Sequence, residues 1–179
     1  MYSTVSVVIP CYNEATTIAQ VIQNVFAQSV HEIIVIDDGS TDSTPTILKT
    51  LENQFQLILC FHSKNRGKGQ ALQTGFSKVT GDIVLIQDAD LEYSPNDYSK
   101  LIKPIIDKET NVVYGSRVLG RQRYGNKNFT SLIRIFVNHA LTIFSNILNN
   151  QKLTDAHTCY KVCTTQVLNK IELIENDFA

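Results

Sequence analysis

Short apolar runs alternate with stretches of helical apolar spacing through the first two thirds of the chain. The runs at residues 4–9, 31–36, 56–61, 82–86 and 111–114 are too short for helices and rich in β-branched side chains, which predicts buried strands. Between the first two, Ile18, Val21, Ile22, Val25 and Phe26 make the stripe of an amphipathic helix. Between the second and third, Pro45 suits a first helical turn and Ile47, Leu48 and Leu51 continue it. Ala71, Leu72, Gly75, Phe76 and Val79 form a third stripe before the fourth run. Strand followed by helix, repeated, implies right-handed βαβ units on a mainly parallel sheet, so the expected fold class is α/β.

Sheets of this kind bind ligands outside the carboxyl ends of their strands. The chemically unusual residues gather there. Pro10-Cys11-Tyr12-Asn13-Glu14 follows the first run, Asp37-Asp38-Gly39-Ser40-Thr41-Asp42 the second, Lys64-Asn65-Arg66-Gly67-Lys68-Gly69 the third, and Asp88-Ala89-Asp90 the fourth. Two carboxylates one residue apart in extended chain point the same way, which lets Asp88 and Asp90 share a hard divalent cation; the alternative is a solvated turn that caps a helix near Pro95. Asp37 or Asp38 can accept hydrogen bonds from a ribose or a base, while Ser40, Thr41 or Asp42 can cap the helix near Pro45. The cations of 64–68 suit phosphate, or a solvated loop. They fit neither a Walker A loop nor the dinucleotide fingerprint, since Leu72 stands where the third glycine would be.

Composition narrows this picture. With 179 residues, 43% apolar and 18% charged, the chain is expected to form one domain over 1–179, with core enough to fold without disulfides or a structural metal. Its 16 Lys+Arg against 17 Asp+Glu give a net charge of −1, which removes the basic field on which nonspecific nucleic-acid binders rely. The cysteines Cys11, Cys60, Cys159 and Cys163 read as reduced thiols; the last two are spaced to share a helical face but belong to no zinc signature. The amino-terminal residues carry no basic segment followed by an apolar stretch, and no run reaches the roughly 20 apolar residues of a membrane span, so a cytoplasmic chain is expected.

A different pattern fills 127–149. Leu132, Ile135, Phe136, Ala140, Ile143, Phe144, Ile147 and Leu148 keep helical spacing, with Arg121, Arg123, Lys127 and Arg134 before or within it. This helix can lie on a membrane surface and steer an anionic head group, or pack its stripe against the sheet.

Taken in order and spacing, 7–14, 35–42, Asn65-Arg66-Gly67-Lys68-Gly69, Gly81-Asp82-Ile83-Val84, Asp88-Ala89-Asp90 and Gly115-Ser116-Arg117 resemble the family 2 glycosyltransferases of GT-A fold, and among them the dolichyl- or polyprenyl-phosphate sugar synthases. The resemblance implies an inverting transferase that moves a hexose from a UDP- or GDP-sugar to a lipid phosphate with Mg²⁺ or Mn²⁺. A transferase using a glycan acceptor, and a nucleotide-sugar-binding protein without transfer, are the alternatives. A sugar nucleotidyltransferase is disfavoured, because Cys-Tyr-Asn-Glu stands where its Gly-rich basic loop would follow the first strand.

Carried over by position, the resemblance places Pro10, Tyr12, Glu14, Ile36 and Asp38 around the nucleoside, Lys68 on the donor, and Ala89 in close approach to it. Asp88 and Asp90 become metal ligands, with Glu92 a third where relatives often carry Gln. Arg117 would meet a phosphate, with a surface ion pair as its alternative. Arg134 and Asn138 fall where relatives contact the acceptor phosphate. Asp155 would orient the acceptor or act as base, or else cap a loop or helix. Relatives continue past Ala179 and many add membrane helices, so the chain is expected to be a catalytic core cut close to its acceptor side, at the cytoplasmic face of a membrane.

Overall fold

The computed structural model describes residues 3–116, 129–156 and 158–171, and between 129 and 136 the backbone alone. The five expected strands form: β1 (Val5–Cys11), β2 (Glu32–Asp37), β3 (Ile58–Phe61), β4 (Ile83–Ile86) and β5 (Val112–Tyr114). A sixth, β6 (Lys161–Thr164), joins them in one sheet of order β3-β2-β1-β4-β6-β5. β1 pairs in parallel with β2 and β4, and β2 with β3, whereas β6 runs antiparallel to β4. The sheet is thus mainly parallel, as the alternation of strand and helix predicts. Cys163 lies in β6, so it does not share a helical face with Cys159; an extended segment puts residues four apart far from each other.

Helices α1 (Ile18–Phe26) and α2 (Thr44–Phe55) connect β1 to β2 and β2 to β3, moving one way across the sheet. Helix α3 (Lys68–Phe76) carries the chain back past β1 to β4. Right-handed crossovers of opposite direction put α1 and α2 on one face and α3 on the other. Each helix buries its apolar stripe: Ile18, Val21, Ile22 and Val25 on α1, and Ala71, Leu72 and Gly75 on α3. Under α3 lie Val8, Ile34, Ile36 and Val84, the alternate residues of three parallel strands.

Gly75 sets the separation between α3 and the sheet. A Cβ there would lie 2.5 Å from Val8 Cγ1 and 2.6 Å from Ile36 Cδ1, well inside contact distance. The third stripe of the sequence therefore contains a glycine because the helix sits close, and the close approach brings its first residue, Lys68, to the sheet edge.

The chain divides into two compact units, Met1–Val113 with Val162–Ala179, and Tyr114–Lys161. The first also contains α4 (Tyr98–Ile106) and the short α6 (Thr165–Leu168). The second is built on α5 (Phe129–Asn149). Among the described side chains of α5, Thr142 is 3% exposed and its hydroxyl accepts from Ala156 N, while Asn146 pairs both its amide atoms with the backbone of Leu153. Ile143, Phe144, Ile147 and Leu148 are exposed. No helix among the described residues is long and apolar enough to cross a membrane.

Replacing Gly75 with Val should cost about 1–3 kcal/mol through overpacking. The expected readout is a lower urea midpoint at an unchanged slope; an unshifted midpoint would show that α3 can move outward freely.

Candidate active site

The strand order reverses between β1 and β4, and the pairing of β1 is uneven there. Its ladder with β2 runs to Cys11, but its ladder with β4 stops at Val8, beyond which Gln87 N still reaches Val8 O at 3.0 Å. Pro10 has no N–H to extend that ladder. The sheet consequently opens at its carboxyl edge, at the topological switch point where doubly wound sheets bind ligands. A cleft of about 210 Å³ lies there, lined by Pro10, Cys11, Tyr12, Glu14, Asp38, Lys68, Asp88, Ala89 and Asp90. Segments that are distant in sequence are thereby brought together as expected.

Side chains of the loop after β2 pin the loop after β1. Asn13, held at φ 55°, donates its backbone N–H to Ser40 Oγ (2.8 Å) and accepts from Thr41 N through its own Oδ1 (2.8 Å). Glu14 N donates to Thr44 Oγ1 at 2.9 Å, and Thr17 Oγ1 to Glu14 Oε2 at 2.7 Å. Asp42 serves both loops, accepting from Thr44 N at the start of α2 and from Ala15 N. Hydrogen bonds from Thr44, and then from Ala15, hold its carboxyl below the usual carboxylate range. Of the capping candidates in the sequence, Asp42 thus meets the first N–H of α2, and Ser40 and Thr41 face the other loop instead.

Asp38 is 3% exposed and is the hub of the opposite wall. Its Oδ1 accepts from His62 Nδ1 at 2.6 Å and from Arg66 N at 3.0 Å, and its Oδ2 from Gly67 N at 2.8 Å. His62 Nε2 lies 2.9 Å from Thr74 Oγ1 of α3. A carboxylate offers about four lone-pair sites, so most of Asp38's capacity is already spent on fixing the loop ahead of Lys68. Gly39 allows that loop to approach: at φ 73°, any Cβ on it would fall 2.4 Å from the carbonyl carbon of Lys64. His62 is the important residue that the sequence did not single out. Its one signal is position, since it directly follows β3 on the edge where the other chemistry collects.

On the third wall, the ammonium of Lys68 forms an ion pair with Asp88 Oδ1. Asp88's backbone is fixed by Gln87, whose fully buried amide donates to Asp88 O (2.9 Å) and accepts from Tyr98 OH (2.9 Å). Asp90 is exposed and its Oδ1 accepts from Glu92 N at 3.0 Å, closing a turn with Leu91 at φ 62°. Glu92 does not line the cleft, and no cluster of three metal-ligating side chains occurs among the described residues. The structure therefore brings together Asp88 and Asp90 but not the third carboxylate.

One further expectation is corrected. Ile36 is fully buried in the core beneath α3, because it shares the α3-facing side of β2 with Ile34, and it does not line the cleft. Cys11, which the sequence did not place at the site, also lines the cleft. Burial, and then the neighbouring carboxylate of Asp37, push its thiol far above the usual range, and the protonated form is inert. Asp155, 4% exposed, and Asn138 of α5 belong to the second unit. Arg117 lies outside the described residues, as does the side chain of Arg134.

Removing the His62 donor leaves the Asp38 carboxylate buried and short of a charge-assisted hydrogen bond. His62→Phe should therefore cost about 1.5–3 kcal/mol in urea unfolding and speed amide exchange at Arg66 and Gly67. Unchanged exchange at those two amides would remove Asp38 as the anchor of the loop.

Known proteins resemble this chain in sequence and architecture. The chain is 31% identical over 167 residues to a UDP-N-acetylglucosamine--dolichyl-phosphate N-acetylglucosaminyltransferase of Methanococcus voltae, an alignment that covers 84% of this chain and 65% of the relative. It is 30% identical over 143 residues to an undecaprenyl-phosphate 4-deoxy-4-formamido-L-arabinose transferase of Serratia proteamaculans, covering 76% of this chain and 44% of that one. The chain thus spans less than two thirds of the length of these relatives. Among solved structures, the mannosyltransferase PcManGT of Pyrobaculum calidifontis, in complex with GDP-Man and Mn²⁺, superposes with a TM-score of 0.56 at 31% identity over 63% of this chain and 35% of that one. The α/β sheet with flanking helices is that of the GT-A glycosyltransferases. With the model of glycosyl transferase family 2 matching residues 6–172, the chain belongs to that family.

Proposed function

We propose that the chain is the donor-binding part of an inverting glycosyltransferase that moves a hexose from a nucleotide-diphosphate sugar to a polyprenyl phosphate with a divalent metal. The observation that carries this reading is the convergence of Lys68, Asp88 and Asp90 on one cleft at the switch point, in a chain of this family. The two relatives named above act on dolichyl and undecaprenyl phosphate, and PcManGT binds a nucleotide sugar with Mn²⁺. The two relatives support a lipid-phosphate acceptor, and the first of them and PcManGT support a nucleotide-sugar donor.

The residues suit a hard dication. Asp88 and Asp90 offer carboxylate oxygens on the same cleft and, with few protein ligands, leave positions for phosphate oxygens, the arrangement that Mg²⁺ and Mn²⁺ favour. A bound ion would neutralise the charge that grows on the departing nucleoside diphosphate. The chain's own groups act beside it. Lys68, at the first turn of α3, adds an ammonium and a helix amino terminus on the same side. Pro10, Tyr12, Glu14 and Asp38 form the wall for the nucleoside, with Asp38 turning one remaining lone pair toward it while His62 holds the carboxylate still. An acceptor phosphate oxygen is anionic near neutral pH, so direct attack at the anomeric carbon needs no strong base from the protein and inverts that centre. The exposed apolar face of α5 supports peripheral contact with a lipid surface, where such an acceptor resides.

Asp90→Asn should weaken Mn²⁺-dependent binding of UDP or GDP by about tenfold or more while leaving metal-free binding near wild type, as read by calorimetry with and without EDTA. Equal affinities would remove Asp90 from the metal site. Incubation with Mg²⁺, a polyprenyl phosphate and labelled UDP- and GDP-sugars tests the reaction itself. Product with inverted anomeric configuration supports transfer. Donor binding without product favours a binding protein.

A further inference from the structure

The Lys68–Asp88 ion pair occupies an awkward electrostatic position. Lys68 is the first residue of α3, where the aligned peptide dipoles already present positive charge. A cation is unfavourable there unless an anion faces it, and Asp88 is that anion. The lysine cannot swing away with its backbone: the preceding amides of Arg66 and Gly67 are both held by Asp38, which His62 holds in turn. Lys68 and Asp88 are 28% and 17% exposed, so water screens the pair only in part.

A divalent ion taking Asp88 must therefore share a carboxylate that an ammonium and a helix end already engage. Asp90 contributes a second carboxylate, but one of its oxygens is committed to the backbone of Glu92. Of the other acids lining the cleft, Asp38 keeps one lone pair beside its three donors and Glu14 accepts from Thr17. At Asp88 itself the ammonium and a dication compete for one carboxylate. A diphosphate relieves this competition, since its oxygens can ligate the metal and accept from Lys68 at once.

We propose that Lys68 makes the metal subsite conditional on the donor: by sharing Asp88, its ammonium keeps affinity for the bare ion low, and the nucleoside diphosphate raises that affinity by taking the ammonium onto its own oxygens. Metal and nucleotide then bind with positive coupling, and the coupling is reciprocal. The effect is regulation of the same cleft and rests on the proposed function, but it reads out in binding alone. A purely structural ion pair between α3 and the β4 loop would leave metal affinity without nucleotide unchanged when the lysine is neutralised.

The test is a Mn²⁺ titration of the whole chain, followed by electron paramagnetic resonance of the free ion, with and without UDP or GDP. In the wild type, nucleotide should tighten Mn²⁺ by about tenfold or more. In Lys68→Met, Mn²⁺ alone should bind about tenfold more tightly and the nucleotide effect should shrink below about threefold. Lys68→Gln should repeat this result with a polar side chain should the methionine variant fold poorly, and Lys68→Arg should keep the wild-type pattern. If both neutral variants bind Mn²⁺ alone no better than wild type, while wild type still binds metal and nucleotide together, the role of Lys68 is overturned and the proposed function stands. If the wild type binds neither nucleotide nor Mn²⁺ under any condition, both are overturned.

Discussion

The uneven pairing of the central strand is the constraint on which the rest depends. β1 is hydrogen-bonded on both sides up to Val8 and on one side only from there to Cys11. Three residues of difference between two ladders turn a closed sheet into one with a slot at its edge. A proline at Pro10 makes the difference permanent, because the chain cannot supply the missing donor. Everything chemical follows from what can reach that slot: the β4 continuation carrying Asp88 and Asp90 from one side, and the β2 and β3 continuations carrying Asp38 and His62 from the other.

What occupies the slot is then decided by packing some distance away. α3 can bring Lys68 to the edge because Gly75 lets the helix lie close on Val8 and Ile36, and because Asp38 ties down the two amides before it. A core contact and a polar hub act in series on a single ammonium. Asp38 is therefore less an isolated recognition group than a shared support of loop and pocket, and His62 works through it.

Much of this was legible in the sequence, and the parts that were not share a cause. The parallel strands β1, β2 and β4 announce themselves as β-branched runs because both their faces are largely buried. β6 is four residues long, with Val162 alone fully buried, and lies against the antiparallel side of β4, so no run marks it. The loop motifs fall around the cleft, since their order along the chain maps onto the carboxyl edge of the sheet. Side-chain direction within them was harder to read. Ile36 is next to the motif yet faces α3, and Glu92 follows Asp88 and Asp90 yet leaves the cleft through the Asp90 turn. His62 is a single residue without a spacing partner, and its weight comes from contacts with Asp38 and Thr74 that only folding creates.

The lacing of the two loops through Asn13, Ser40, Thr41, Asp42 and Thr44 has a consequence for how tightly a small molecule can be held. Each of these side chains is short and most are bonded to backbone amides, so the wall they build is ordered by the fold itself and not by an arriving guest. Freezing a loop on arrival costs about 1–2 kcal/mol of conformational entropy per residue. Here that cost falls on folding, which leaves more of each contact with a guest to appear as affinity.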